Sequence, residues 1–225
     1  MPYTNPKFDI KMAEQLMKLR LKILDLLEKH GYTENDIRYY VLNAIAWALH
    51  FSLMRINFYL ACKSQKIPSI TITELIGTPN WDLKLFEIDV KFTRIGMISI
   101  IQFQIENFLK ILLSNLEEND PPKKYYEIVE KILKLLEIKD IEIKKDKLNI
   151  LAYMRNCLHS NGMHTNPSKT FEIDGYEFKF EKDKICHNTS WGEITFALDH
   201  AIDVIDEIIT HQKIKDIKKQ LPLNP

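Results

Sequence analysis

Arg155 and His159 are the two residues whose types and spacing best support joint chemistry, four positions apart within Leu148-Asn149-Ile150-Leu151-Ala152-Tyr153-Met154-Arg155-Asn156-Cys157-Leu158-His159-Ser160-Asn161-Gly162. In a helix, such a pair stacks on nearly one face, roughly 6 Å apart along the axis. Helical spacing predicts an inward stripe of Leu148, Leu151, Arg155, Leu158 and Gly162, so an arginine is expected where a hydrophobe belongs. Charge on a core-facing stripe is costly unless something pairs with it, and local rules tend to break at sites. The chemistry open to the two groups is proton transfer beside a bound anion. Imidazole, with an ordinary pKa of about 6.5, moves protons near neutral pH. A guanidinium is a permanent cation whose fork fits two phosphate oxygens. Asn156 is the third candidate, to orient a phosphate or hold the imidazole tautomer. Glu106, on another helical stretch, is expected to hold Arg155 across a helix pair; a plain buried ion pair is the simpler role for it.

Simpler readings exist for the whole group. Helix C-termini favour Arg and His electrostatically, so the pair also suits a structural role. Cys157, His159, His164, Cys186 and His187 cluster in sequence, yet they lack two separated ligand pairs at zinc spacing, so no metal and no cofactor is expected. Cys157 and His159 stand at i and i+2 and do not face each other on a helix, which argues against a cysteine nucleophile.

The elements that must position these residues are mostly helical. Residues from about Lys7 to His30 keep Ile10, Leu16, Leu19, Ile23, Leu26 and Leu27 on one side, with Gly31 as the stop. Thr33, followed by Asp36, resembles a capping box opening a helix to about Cys62. That helix is apolar on most of its circumference and is expected to be largely enclosed. Pro68, Gly77 and Pro79 punctuate a connector. A long helix is clearest from about Phe92 to Leu116, with Ile98, Ile101, Ile105, Phe108, Leu109 and Leu112 at helical spacing, and Pro121-Pro122 ends it. Tyr125 to Leu136 predicts a shorter helix with Ile128, Ile132, Leu135 and Leu136 inward, and Lys144 to Lys147 leads into the central one. Beyond Gly162 the period becomes two: Phe171 and Ile173, Asp174-Gly175, then Tyr176, Phe178 and Phe180, the pattern of a hairpin with a type I′ turn. Ser190-Trp191-Gly192-Glu193 is a capping box for a last helix carrying Ile194, Leu198, Ala201, Ile205 and Ile208. Trp47, Trp81 and Trp191 are expected as core anchors.

Composition narrows the classes. The 225 residues are 45% hydrophobic, enough for a sizeable core. Lys+Arg and Asp+Glu balance at 31 each, so any phosphate binding must be local. Three unpaired cysteines suit a reducing, cytoplasmic setting. The first residues lack signal-peptide character. The apolar run from Tyr39 to Cys62 is broken by Asn43, His50 and Arg55 and is too short for a span, so no membrane association is expected.

Arg155-Asn156 followed by His159, at the end of a helix in a four-helix unit, resembles the signature of the HEPN superfamily. Phe103-Gln104-Ile105-Glu106-Asn107-Phe108-Leu109 is similar to that family's first long helix. Three residues separate Arg155 from His159, where the commonest family pattern has four or more. The resemblance covers about Leu83 to Lys215. It implies a mainly α protein: a HEPN-like four-helix bundle over 83–215 with an inserted β-hairpin at about 170–186. An N-terminal helical hairpin (1–66) and a connector (67–82) precede it, and a tail (216–225) follows. For function it implies a metal-independent endoribonuclease, with RNA as substrate and a homodimer uniting Arg155, Asn156 and His159 from two subunits. The setting would be prokaryotic defence or a toxin–antitoxin pair, with an antitoxin or defence protein as partner. A non-catalytic HEPN-like binding or interaction module is the alternative.

Overall fold

Apolar residues at helical spacing build α1 (Pro6–His30), which buries Met12, Leu16, Leu19 and Ile23. Gly31 ends it at φ +61°, its N–H donating to the Leu27 carbonyl. The computed structural model describes residues 6–64, 83–117 and 122–215. The expected connector with Pro68, Gly77, Pro79 and Trp81 lies outside the described residues, as do Pro121 and the tail. The described chain is mainly helical, with seven helices and one two-stranded antiparallel sheet.

α2 (Ile37–Lys63) starts later than the Thr33 capping box predicts. Asp36 caps it instead: its Oδ1 accepts the backbone N–H of Arg38 at 2.8 Å, the usual N-cap geometry. The same carboxylate grips the Arg38 guanidinium (Nε–Oδ1 2.9 Å, Nη2–Oδ2 2.5 Å), and both residues are buried. α2 is not enclosed as its composition suggests. Val41, Leu42, Ile45, Leu49 and Ile56 are buried, but Trp47, Phe51 and Met54 are each at least half exposed. Trp47 is therefore a surface residue and Trp191 a core one. The reason is that neighbouring helices cover α2 on only part of its circumference.

α3 (Leu83–Leu116) begins well before Phe92. No proline or glycine interrupts that stretch, and its apolar residues Ile88 and Phe92 are exposed, so inward periodicity is weak there. Among the described residues, its Ile88–Leu116 portion, not α2, is long and apolar enough to cross a membrane by length and composition, with mean hydropathy 1.3; half of that window is buried within the protein. α4 (Tyr125–Leu135) buries Ile128, Val129, Ile132 and Leu133, with Leu136 beyond its end also buried and Leu135 only partly so. α5 (Ile141–His159) includes the charged turn, whose half-buried lysines pair with Glu207 (from Lys144, 2.6 Å) and Glu142 (from Lys145, 2.7 Å).

β1 (Lys169–Ile173) and β2 (Tyr176–Phe180) pair with Phe171 opposite Phe178 and Ile173 opposite Tyr176. Asp174 and Gly175 have φ +48° and +77°, as a type I′ turn requires. Phe171, Ile173, Phe178 and Phe180 are buried, while Tyr176 lies outside. α6 (Trp191–Thr210) carries the expected capping box in both directions, and Ile194, Leu198, Ala201, Ile205 and Ile208 are all fully buried. α7 (Gln212–Lys215) follows. The N-terminal helices join the rest through charge and core: Lys22 pairs with Asp199 and Asp203 of α6 (2.5 and 2.6 Å), His30 with Asp206 (2.7 Å), and Arg38 donates to the Ile214 carbonyl (3.2 Å). One continuous apolar core runs through α1 to α6 and the hairpin.

Candidate functional site

The α5 segment Leu148 to His159 is held from three sides, by α3, α4 and α6. Its inward stripe runs through Leu148, Leu151, Met154, Cys157 and Leu158, one residue out of phase with expectation at the third position. Met154, not Arg155, faces the core. Arg155 and Asn156 are half-buried at the edge, and His159 is exposed. The guanidinium is thus spared the cost of full burial and borders solvent, where a ligand can approach.

His159 is anchored by a residue of α3. Its Nε2 lies 2.7 Å from the Ser99 Oγ, and that hydroxyl lies 2.6 Å from the Ile95 carbonyl. A hydroxyl has one hydrogen and a carbonyl only accepts, so Ser99 donates to Ile95 and accepts from an Nε2–H of His159. In the neutral ring this leaves Nδ1 as the basic nitrogen. Being at the C-terminal end of α5, the ring also sits where a helix favours positive charge.

Arg155 donates from Nε (3.2 Å) and Nη2 (3.0 Å) to the single Oδ1 of Asn156. Asn156 therefore steers the guanidinium and uses one of its edges. Glu106, the residue expected to hold Arg155, pairs with Lys110 on its own helix at 2.6 Å. It remains close enough that its charge and that of Arg155 both act on the Tyr125 hydroxyl, in opposite directions.

Ser99, Gln102 and Glu106 are spaced i, i+3, i+7 on α3 and form its polar stripe opposite α5. Gln102 is fully buried, and neither atom of its amide has a hydrogen-bond partner among the described residues. Tyr125 of α4 donates to the Leu148 carbonyl of α5 at 3.4 Å. Its ring is partly exposed but its hydroxyl is enclosed, and burial raises its pKa well above the ordinary tyrosine value. The Gln102 amide opposes that rise without being aligned for a regular hydrogen bond. Ser99, Gln102 and Tyr125 escaped sequence reasoning. The signal was present for two of them: polar residues at helical spacing within a strongly apolar helix.

Of the cysteine and histidine cluster, Cys157, His164 and Cys186 come together, while His159 lies apart against Ser99. Cys157 and His164 are buried together, with Sγ 3.6 Å from Nδ1, and the His164 Nε2–H donates to the Pro167 carbonyl at 3.1 Å. The neighbouring Cys186, and then burial, push the Cys157 thiol far above the usual range, so it stays protonated. Among the described residues, no group of three or more His, Cys, Asp or Glu is placed to hold a metal ion.

Comparison with family models, curated proteins and solved structures returned no match to this chain.

Proposed function

We propose that the protein is a HEPN-like, metal-independent endoribonuclease acting as a homodimer, with Arg155 and His159 as catalytic residues and Asn156 as their support. The observation that carries this reading is the exposed His159 ring, fixed by Ser99 with Nδ1 left basic, one turn from a half-exposed Arg155. One imidazole takes the proton of the RNA 2′-hydroxyl as its oxygen attacks phosphorus. The bond to the 5′-oxygen breaks, and an imidazolium from the second subunit gives that oxygen a proton. The products are a 2′,3′-cyclic phosphate and a 5′-hydroxyl. Asn156 occupies one edge of the Arg155 guanidinium, and the Nη1 side is the edge for phosphate oxygens. The cellular setting in this reading is cytoplasmic prokaryotic defence or a toxin–antitoxin pair, with an antitoxin or defence protein as partner.

The test is incubation of the purified chain with RNA in chelator. Wild type is expected to yield cyclic-phosphate ends, and His159→Ala to lose about 10²- to 10⁴-fold in rate. Equal rates for the two proteins overturn the catalytic reading.

A non-catalytic RNA-binding or interaction module is the second reading. It is favoured by the engagement of Arg155 with its own neighbour and by the three-residue spacing. It predicts retention of RNA on a filter, weakened by Arg155→Ala, with the RNA left intact.

A further inference from the structure

We infer that the outer face of the α2–α3 pair is the surface on which a second copy of this chain docks. Two apolar stripes lie along it. Trp47, Phe51 and Met54 of α2 are 50%, 57% and 53% exposed, and Phe92, Ile100 and Phe103 of α3 are 63%, 51% and 63% exposed. Both sets keep helical spacing; the α2 set is continuous, and on α3 Gly96 and Ser99 lie between Phe92 and the Ile100–Phe103 pair. The Arg55–Asp89 ion pair (2.9 Å) crosses between the two helices. Arg55 adjoins Met54 and lies one turn from Phe51, while Asp89 lies one turn from Phe92, so both ridges flank the same seam on the same side.

The area suits a stable dimer. With aromatic side chains offering 150–250 Å², six large side chains at these exposures present about 600 Å². That is at the top of the roughly 300–600 Å² of a monomer's largest patch and approaches the roughly 800 Å² per partner of a standard interface. Its Trp, Phe and Met content is that of interface cores.

The charge in the middle of the face identifies the occupant. Arg55 and Asp89 are 59% and 39% exposed at their side chains, and a bilayer covering both ridges would have to take both charges into hydrocarbon. A second copy meets them with their complement. A twofold axis through the seam sets Arg55 of each chain against Asp89 of the partner subunit, as an isologous contact demands. Ser99, which holds His159, lies ten residues from Asp89, about 15 Å along α3, so the His159 of each chain sits at the rim of this face away from the axis, and the surface stands independently of the nuclease reading.

The test is light scattering of the full chain after size exclusion. Wild type is expected at twice 26.6 kDa. Phe51→Glu with Phe92→Glu alters mainly exposed side chains, so helicity should be kept while association weakens at least about 100-fold. Arg55→Glu and Asp89→Arg are each expected to be monomeric alone and to form a heterodimer when mixed, because opposite charges then face across the seam. A wild-type monomer at every concentration overturns the proposal, as does a dimer indifferent to these substitutions. Wild type that stays monomeric and sediments with phosphatidylcholine–phosphatidylglycerol vesicles makes this a membrane face and overturns it too. A dimer that never cuts RNA sinks the nuclease reading alone, and a monomer that cuts RNA sinks the interface and the two-subunit mechanism while leaving the nuclease activity.

Discussion

Replacing Gln102 by methionine should make this protein more stable. Gln102 is fully buried on α3 beside the enclosed Tyr125 hydroxyl of α4, and neither polar atom of its amide makes a regular hydrogen bond among the described residues. A buried polar group left unpaired forfeits its hydration, typically about 1–3 kcal/mol. Methionine keeps the length and flexibility of glutamine and removes both polar atoms, so it neither opens a cavity nor overpacks the core. The expected gain is therefore about 1–3 kcal/mol. At about 2–4 °C per kcal/mol for a chain of this size, the melting temperature should rise by about 2–12 °C. Urea unfolding followed by circular dichroism gives the free energy directly, and the denaturant slope should not change. Gln102→Ala is the control. It removes the amide but leaves a void, so it should fall below the methionine variant. A methionine variant less stable than wild type by 1 kcal/mol or more would refute the reasoning, since it would mean that the amide is bonded in the folded protein. If the stabilised variant cuts or binds RNA less well, Gln102 is a polar residue kept at a cost in stability for the neighbouring Arg155.

Other perturbations have signs as definite. Asp36→Ala leaves the buried Arg38 guanidinium without its counter-charge and should cost about 3–5 kcal/mol in urea unfolding, much of it recovered when Arg38→Met is added. Ser190→Ala removes the acceptor for the Glu193 N–H at the start of α6 and should cost about 1 kcal/mol in thermal unfolding. Asp146 is held above its ordinary pKa of 3.8, chiefly by burial, with Lys169 opposing. Because the folded pKa is raised, its stabilising contribution is complete below that ordinary value and is lost as pH rises through the folded one. Asp146→Asn should thus be more stable than wild type at pH 7, with the gap closing on acidification below about 4, as pH-dependent melts will show. Ser99→Ala frees the His159 ring from its hydrogen bond and should lower RNA cleavage about 2- to 10-fold through kcat, with Ser99→Thr restoring the rate; an unchanged kcat removes Ser99 as a positioning residue.

What the sequence made legible was what a few adjacent residues dictate. Asp174-Gly175 between alternating runs forced a type I′ hairpin, and Ser190 with Glu193 forced a helix start, since each depends on backbone geometry within four residues. Composition misled at Trp47. Its ring predicts burial, but whether anything covers it depends on which faces of α2 meet α1 and α3, and on what docks outside. The Arg155 stripe was misread by one residue. Met154 and Arg155 are 100° apart on the helix, and Leu148, Leu151 and Leu158 fit a stripe through either; burial selects Met154.

The partner of the motif was the hardest part to read, for a related reason. Charge complementarity points from Arg155 to Glu106, the one acid on the polar stripe of α3. The contact that forms is instead between His159 and a neutral serine sixty positions away in the chain. Seven residues separate Ser99 from Glu106, about 10 Å along a helix axis. Which of them meets α5 depends on the register of two helices that are not neighbours in sequence. The apolar side chains of both helices set that register through the core they share. With Glu106 given to Lys110 and Ser99 to His159, the two catalytic candidates are held by neutral groups, Asn156 and Ser99. Such groups orient a cation without cancelling it, and the positive charge of Arg155 is left for an anion from outside.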